Sequence, residues 1–135
     1  MPEKILVVED EPSLQETLVY NLRKQGYEVE AVSEGNLAVE KARTYGPDVI
    51  ILDIMLPGKN GYEVSRILKE EMEQGKVAPF PILVLTARKV ASPEREDFLK
   101  TWSKADEFMY KPFDMKRLME CIALHLERSG VAEAR

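Results

Sequence analysis

Three apolar runs constrain this chain more than anything else in it: Ile5 to Val8, Val49 to Leu52 and Ile82 to Leu85, each short, aliphatic and without polar alternation. A strand with one face in water alternates, so strands that do not alternate must be covered on both faces. These three are read as the central strands of one sheet. Two other segments differ. "YEVEAV", 27–32, sets Glu28 and Glu30 against Val29 and Ala31, and "DEFMY", 106–110, is partly polar. Both read as edge strands.

Between the strands the apolar spacing turns helical: Leu14, Leu18 and Leu22; then Leu37, Ala38 and Ala42; then Val64, Ile67 and Leu68. A fourth helix is predicted from about Ser92, an N-cap followed by Pro93 and Glu94, burying Phe98, Leu99 and Trp102. A fifth follows Asp114, with Leu118, Ile122 and Leu126 on one stripe. Strand and helix thus alternate five times, which demands a doubly wound α/β fold: a five-stranded parallel sheet, right-handed crossovers and five helices on its two faces. With the second and fifth strands at the edges, the order 2-1-3-4-5 fits, and function is expected at the switch point between strands one and three. One domain over 1–128 is expected, with "ERSGVAEAR" ending the chain, so that 129–135 reads as a tail or linker stub.

Composition excludes several classes. A net charge of −5 and the absence of a Lys/Arg stripe argue against direct contact with a nucleic-acid backbone. Apolar runs of four or five residues are far below a membrane span, and "MPEKILVVED" lacks the basic start and apolar stretch of a signal peptide. The lone Cys121 forms no internal disulfide, in keeping with a reducing compartment; a cytoplasmic protein is expected.

The strand ends carry the chemistry. The first strand runs straight into Glu9 and Asp10, and the third, "DVIILD", ends in Asp53. Neighbouring strands would bring these three carboxylates together, where they would repel unless a divalent cation sat among them. Oxygen-only ligands suit Mg2+. The plainer reading is that Glu9 or Asp10 caps the helix beginning near Pro12. Asp53 has no helix of its own to cap, since "DIMLPGKNG" is a loop. The fourth strand ends in Thr86, and the fifth is followed by Lys111 in "YKPF", so a hydroxyl and a cation join the same edge.

Taken in order, "VVEDEP", "LDIMLPGKNG", "LTAR" and "KPF" resemble the receiver domain of two-component response regulators, over residues 3–128. The resemblance implies a flavodoxin-like fold and a signalling domain that catalyses only its own phosphorylation and dephosphorylation. It implies Asp53 as phosphoacceptor, magnesium held by Glu9, Asp10, Asp53 and the backbone carbonyl of Met55, and Thr86 and Lys111 on the phosphoryl oxygens. It further implies a cis bond between Lys111 and Pro112, a switch in which Phe108 follows Thr86, and tuning of the phosphoryl lifetime by Met55 and Arg88. The implied donor is a sensor histidine kinase or phosphotransfer protein. The output partner stays unnamed, with dimerisation through the face of helix four, strand five and helix five as one use of that surface.

The chain departs from the family pattern at several points. Lys104 stands in "SKADEF" where the family usually has glycine; at a left-handed helix end lysine costs roughly 1 kcal/mol, so remodelling of that end is expected. "EEMEQGKVAPFP" lengthens the connection from helix three to strand four, and its acids read as a solvated face. "VEDE" and "LPG" resemble the branch that carries a winged-helix DNA-binding domain; none follows residue 135, so the chain is read as a stand-alone receiver or one cut from a larger regulator. Rival readings are a non-phosphorylated pseudo-receiver, which would typically lose the acceptor or the lysine; an aspartyl phosphatase, which would want an acid where Met55 stands; and a flavin binder, which would want a Gly/Ser/Thr-rich loop in place of "EDEPS". His125, Cys121 and Trp102 read as ordinary helix residues rather than ligands, redox groups or stacking platforms.

Overall fold

The computed structural model describes residues 2–87 and 92–130. Five strands, β1 (Lys4–Val8), β2 (Glu28–Val32), β3 (Val49–Asp53), β4 (Ile82–Thr86) and β5 (Glu107–Tyr110), form one parallel sheet in the order β2-β1-β3-β4-β5. Helices α1 (Pro12–Lys24), α2 (Gly35–Tyr45), α3 (Gly61–Glu73), α4 (Pro93–Ser103) and α5 (Met115–Arg128) supply the crossovers. Among the described residues no helix is long and apolar enough to cross a membrane.

Alternate residues of the central strands feed two separate cores, which is why those runs carry no polar alternation. Leu6, Val8, Ile50, Leu52, Ile82 and Val84 pack with Ala38, Ala42, Val64 and Leu68 from α2 and α3, and the partly buried Leu99, Trp102 and Phe108 lie against them. Ile5, Val7, Val49, Ile51, Leu83 and Leu85 pack with Leu18 and Leu22 of α1 and with Leu118, Ile122 and Leu126 of α5. Aspartates align the strand starts. The Asp48 carboxylate accepts from the Lys4 N–H at 2.7 Å, and the Asp106 carboxylate accepts from the Ile82 N–H at 2.7 Å.

Helix ends follow their local chemistry. Asn60, Ser92 and Asp114 each cap a helix with a side-chain oxygen. The cap of α1 is Glu11, whose carboxylate accepts from the N–H groups of Ser13 and Leu14, so neither Glu9 nor Asp10 is used there.

Three expectations need correction. Leu37 and Phe98 are exposed, at 47% and 58%, although both fall on apolar helical stripes. The end of α4 is not remodelled: Lys104 itself adopts the left-handed conformation, φ 60°, and its ammonium pairs with Glu73 at 3.0 Å. The acids of α3 are not simply solvated, because Glu70 pairs with Arg66, Glu71 with Arg43 and Glu73 with Lys104.

Candidate functional site

At the carboxyl ends of β1 and β3, hydrogen bonding and packing converge on two buried acids. Val8 lies between Val32 and Leu52 in the strand register, and the Glu9 N–H continues the ladder onto the Val32 carbonyl at 3.1 Å. Glu9 is thereby carried into the interior, 1% exposed, while Asp10 turns outward into solvent. Asp53, the last residue of β3, is 4% exposed and accepts from the Ile54 N–H at 2.9 Å. Carboxylate oxygens of Glu9, Asp10 and Asp53 lie within 4.8 Å of one another.

Among the described residues, one cation answers the two buried acids. The Lys111 ammonium stands 3.2 Å from Asp53 Oδ1 and 3.4 Å from Glu9 Oε2. Its position is set from β4, since the Lys111 N–H donates to the Thr86 carbonyl at 2.7 Å, and the Lys111–Pro112 bond is cis, as the resemblance implies. That pairing is incomplete compensation. Burial, reinforced by Asp53, pushes the Glu9 carboxyl above its ordinary range despite Lys111. Burial likewise raises Asp53, with Lys111 opposing and Asp10 adding to the rise.

Glycine lets the loop close over β3. A Cβ added at Gly61 would stand 2.4 Å from the Asp53 carbonyl oxygen and 2.7 Å from the Ile54 Cα, so the start of α3 can press against the strand end only with no side chain there. The Gly61 N–H donates to the Ile54 carbonyl at 2.9 Å. Sequence reading passed over this residue; the signal was present in "KNG", an Asn N-cap followed by glycine.

The remaining expected residues divide. Thr86 is buried, 6% exposed, and ends β4 opposite Tyr110. Met55, two residues past Asp53, is 66% exposed. Phe108 lies away from the acids, paired with Val84 in the strand register and packed on the α2–α3 core, with the Lys100 ammonium 5.3 Å above its ring. Arg88 falls outside the described residues.

A buried carboxylate beside further acids and the Lys111 ammonium, at the switch point of a doubly wound sheet, has counterparts among known proteins. The family pattern described as the response regulator receiver domain matches residues 5–123. The alkaline phosphatase synthesis transcriptional regulatory protein PhoP of Bacillus subtilis is 40% identical over 132 residues, 98% of this chain and 52% of that protein, so the chain spans about half its length. The receiver domain of sensor histidine kinase PA1611 from Pseudomonas aeruginosa, solved with a magnesium ion in its active site cleft, matches with TM-score 0.79 and 31% identity, covering 94% of this chain and 99% of that one. The BeF3-activated N-terminal receiver domain of RstA from Klebsiella pneumoniae matches with TM-score 0.78 and 29% identity, covering 92% and 98%. With sequence pattern, strand order and site chemistry in agreement along nearly its whole length, this chain belongs to the receiver domains of two-component response regulators.

Proposed function

We propose that Asp53 accepts a phosphoryl group and that the resulting charge is read out through Thr86 and β5. The observation that carries this is the buried Asp53 carboxylate with the Lys111 ammonium 3.2 Å away, beside acids that no second ammonium neutralises among the described residues. A carboxylate oxygen of Asp53 attacks phosphorus, forming an O–P bond as the P–N bond of a phosphohistidine donor breaks and the imidazole departs. Lys111 offsets negative charge on the equatorial oxygens, and Thr86 supplies a hydroxyl at the same strand edge.

The donor set fits magnesium: Glu9, Asp10 and Asp53 offer oxygen alone, within 4.8 Å of one another, and the Met55 carbonyl completes the proposed ligands. When bound, the ion supplies positive charge to the phosphoryl oxygens. Met55 flanks the acceptor with an exposed apolar side chain, and Arg88 is proposed as its counterpart; neither offers a base to activate water, so slow loss of the phosphoryl group follows.

In this reading residues 1–128 form the receiver, supported by the end of α5 at Arg128, and 129–135 a tail or linker stub. It works in the cytoplasm, receives phosphate from a sensor histidine kinase or phosphotransfer protein, and signals to an output partner through α4, β5 and α5, a face also suited to dimerisation. Intact mass after incubation with acetyl phosphate tests it. One added phosphoryl group is expected only with both magnesium and Asp53 present; equal labelling of Asp53→Asn, or labelling indifferent to magnesium, refutes it.

A further inference from the structure

Away from the acid site, at the opposite end of β5 from Lys111, three side chains of different chemistry meet. Cys121 and His125 lie four residues apart on α5, one turn, and so share a face of the helix. Glu107, the first residue of β5, lies against that face. The Cys121 Sγ is 3.8 Å from Glu107 Oε1, and the sulfur, a His125 ring nitrogen and a Glu107 carboxylate oxygen all lie within 4.8 Å of one another. Cys121 and His125 are half-buried and Glu107 is exposed, so the cluster is open to solvent, and Glu107 and Cys121 line the cleft between β5 and α5.

We infer that Glu107, Cys121 and His125 form a second metal site, selective for zinc-like transition metals and distinct from the magnesium-type acid cluster. Zinc bonds to sulfur, imidazole nitrogen and carboxylate oxygen of ~2.0–2.3 Å place two donors of one tetrahedral ion about 3.5 Å apart, close to the 3.8 Å between Cys121 Sγ and Glu107 Oε1, and the imidazole, within 4.8 Å of both, has to close by about 1.3 Å at most. Thiolate and imidazole select zinc over magnesium, the reverse of the oxygen-only set at Asp53. Three protein ligands leave the fourth position to water. On binding, the S–H bond of Cys121 breaks, its electron pair forms the sulfur–metal bond, and the proton leaves to solvent.

Cobalt(II) titration of the reduced full chain tests this, because thiolate-to-cobalt charge transfer in the near ultraviolet cannot arise from the all-oxygen acid cluster. A saturable one-to-one band is expected, displaced by stoichiometric zinc, absent in Cys121→Ser and unchanged in Asp10→Asn. His125→Gln and Glu107→Gln, each checked for native circular dichroism, should weaken binding by about tenfold or more, the loss that even outer-shell partners of metal ligands cause. Absence of the band in the unaltered chain overturns the site. So does a band whose affinity either His125→Gln or Glu107→Gln leaves unmoved, which reduces it to a thiol acting alone.

Discussion

The two sides of the sheet are built to different standards. Every residue of β3, and all of β1 after Lys4, is buried, whereas α4 buries only Ser103 and β5 has no fully buried residue. What secures α4 and β5 is largely polar: the Ser65 hydroxyl donates to the Ser103 carbonyl at 2.8 Å, Arg66 to the Trp102 carbonyl at 2.8 Å, and Tyr110 joins Lys100 and Glu96 by side-chain hydrogen bonds. Acids held among like charges need a rigid footing. Polar contacts of this kind exchange at low cost, as the reporting role proposed for this surface requires, and elements with few buried apolar groups lie at the low-stability end of a fold.

The largest expected effect contrasts the cores directly. Ile51→Ala should cost about 2–5 kcal/mol in denaturant unfolding, the range for truncating a fully buried aliphatic side chain. Phe98→Ala, on the exposed face of α4, should stay within about 0.5 kcal/mol. Comparable losses would erase the distinction.

Next comes the electrostatic strain of the rigid side. Because burial raises the Asp53 and Glu9 carboxyls, the folded chain holds protons that the unfolded chain has released, and stability declines as pH rises from the ordinary carboxylate range through the raised values. Asn at position 53 removes one share of that loss. Asp53→Asn should therefore melt higher than the unaltered chain near about pH 7, with the gap closing as pH falls below the ordinary carboxylate range. A gap that widens in acid would mean that Lys111 more than compensates the buried charge.

Sequence alone carried this contrast only part way. Unalternating runs identified β1, β3 and β4, and the residues at or just past their ends, Glu9, Asp53 and Thr86, pointed to the site, because strand period and sheet order between them decide where a strand end falls. Periodicity says which way a helix faces, but not how much lies over it. Leu118 and Ile122 of α5 cross the sheet and are buried; Phe98 of α4, beside the edge strand β5, has too little above it and stays exposed. The departure at Lys104 was visible, yet its outcome depended on whether the backbone would move, and the left-handed end was kept. Cys121 read as a packing residue and His125 as an ordinary helix residue because Glu107, 14 residues before Cys121, joins them only in the folded chain.

Smaller effects sharpen the comparison. Lys104→Gly should stabilise by about 1 kcal/mol or less, relieving a positive φ at the loss of an exposed ion pair worth little. Destabilisation there would show that the Lys104–Glu73 pair anchors α4. Smallest of all, Met55→Asn should speed phosphoryl loss several-fold, under ~1 kcal/mol of barrier, by holding a water that methionine excludes. Phosphate release from isolated phosphoprotein decides it, and equal or slower release removes Met55 from control of the rate.

Hydrogen exchange before and after phosphorylation tests most directly whether a rigid acid edge drives a loosely held reporting face. With acetyl phosphate and magnesium, and occupancy confirmed by intact mass, amides of α4 and β5 should change their exchange while those of β1 and β3 stay as protected as before. Asp53→Asn under the same conditions should show neither change. Full occupancy with α4 and β5 unaltered, or with β1 and β3 changing as much, would contradict the division of labour proposed for this receiver.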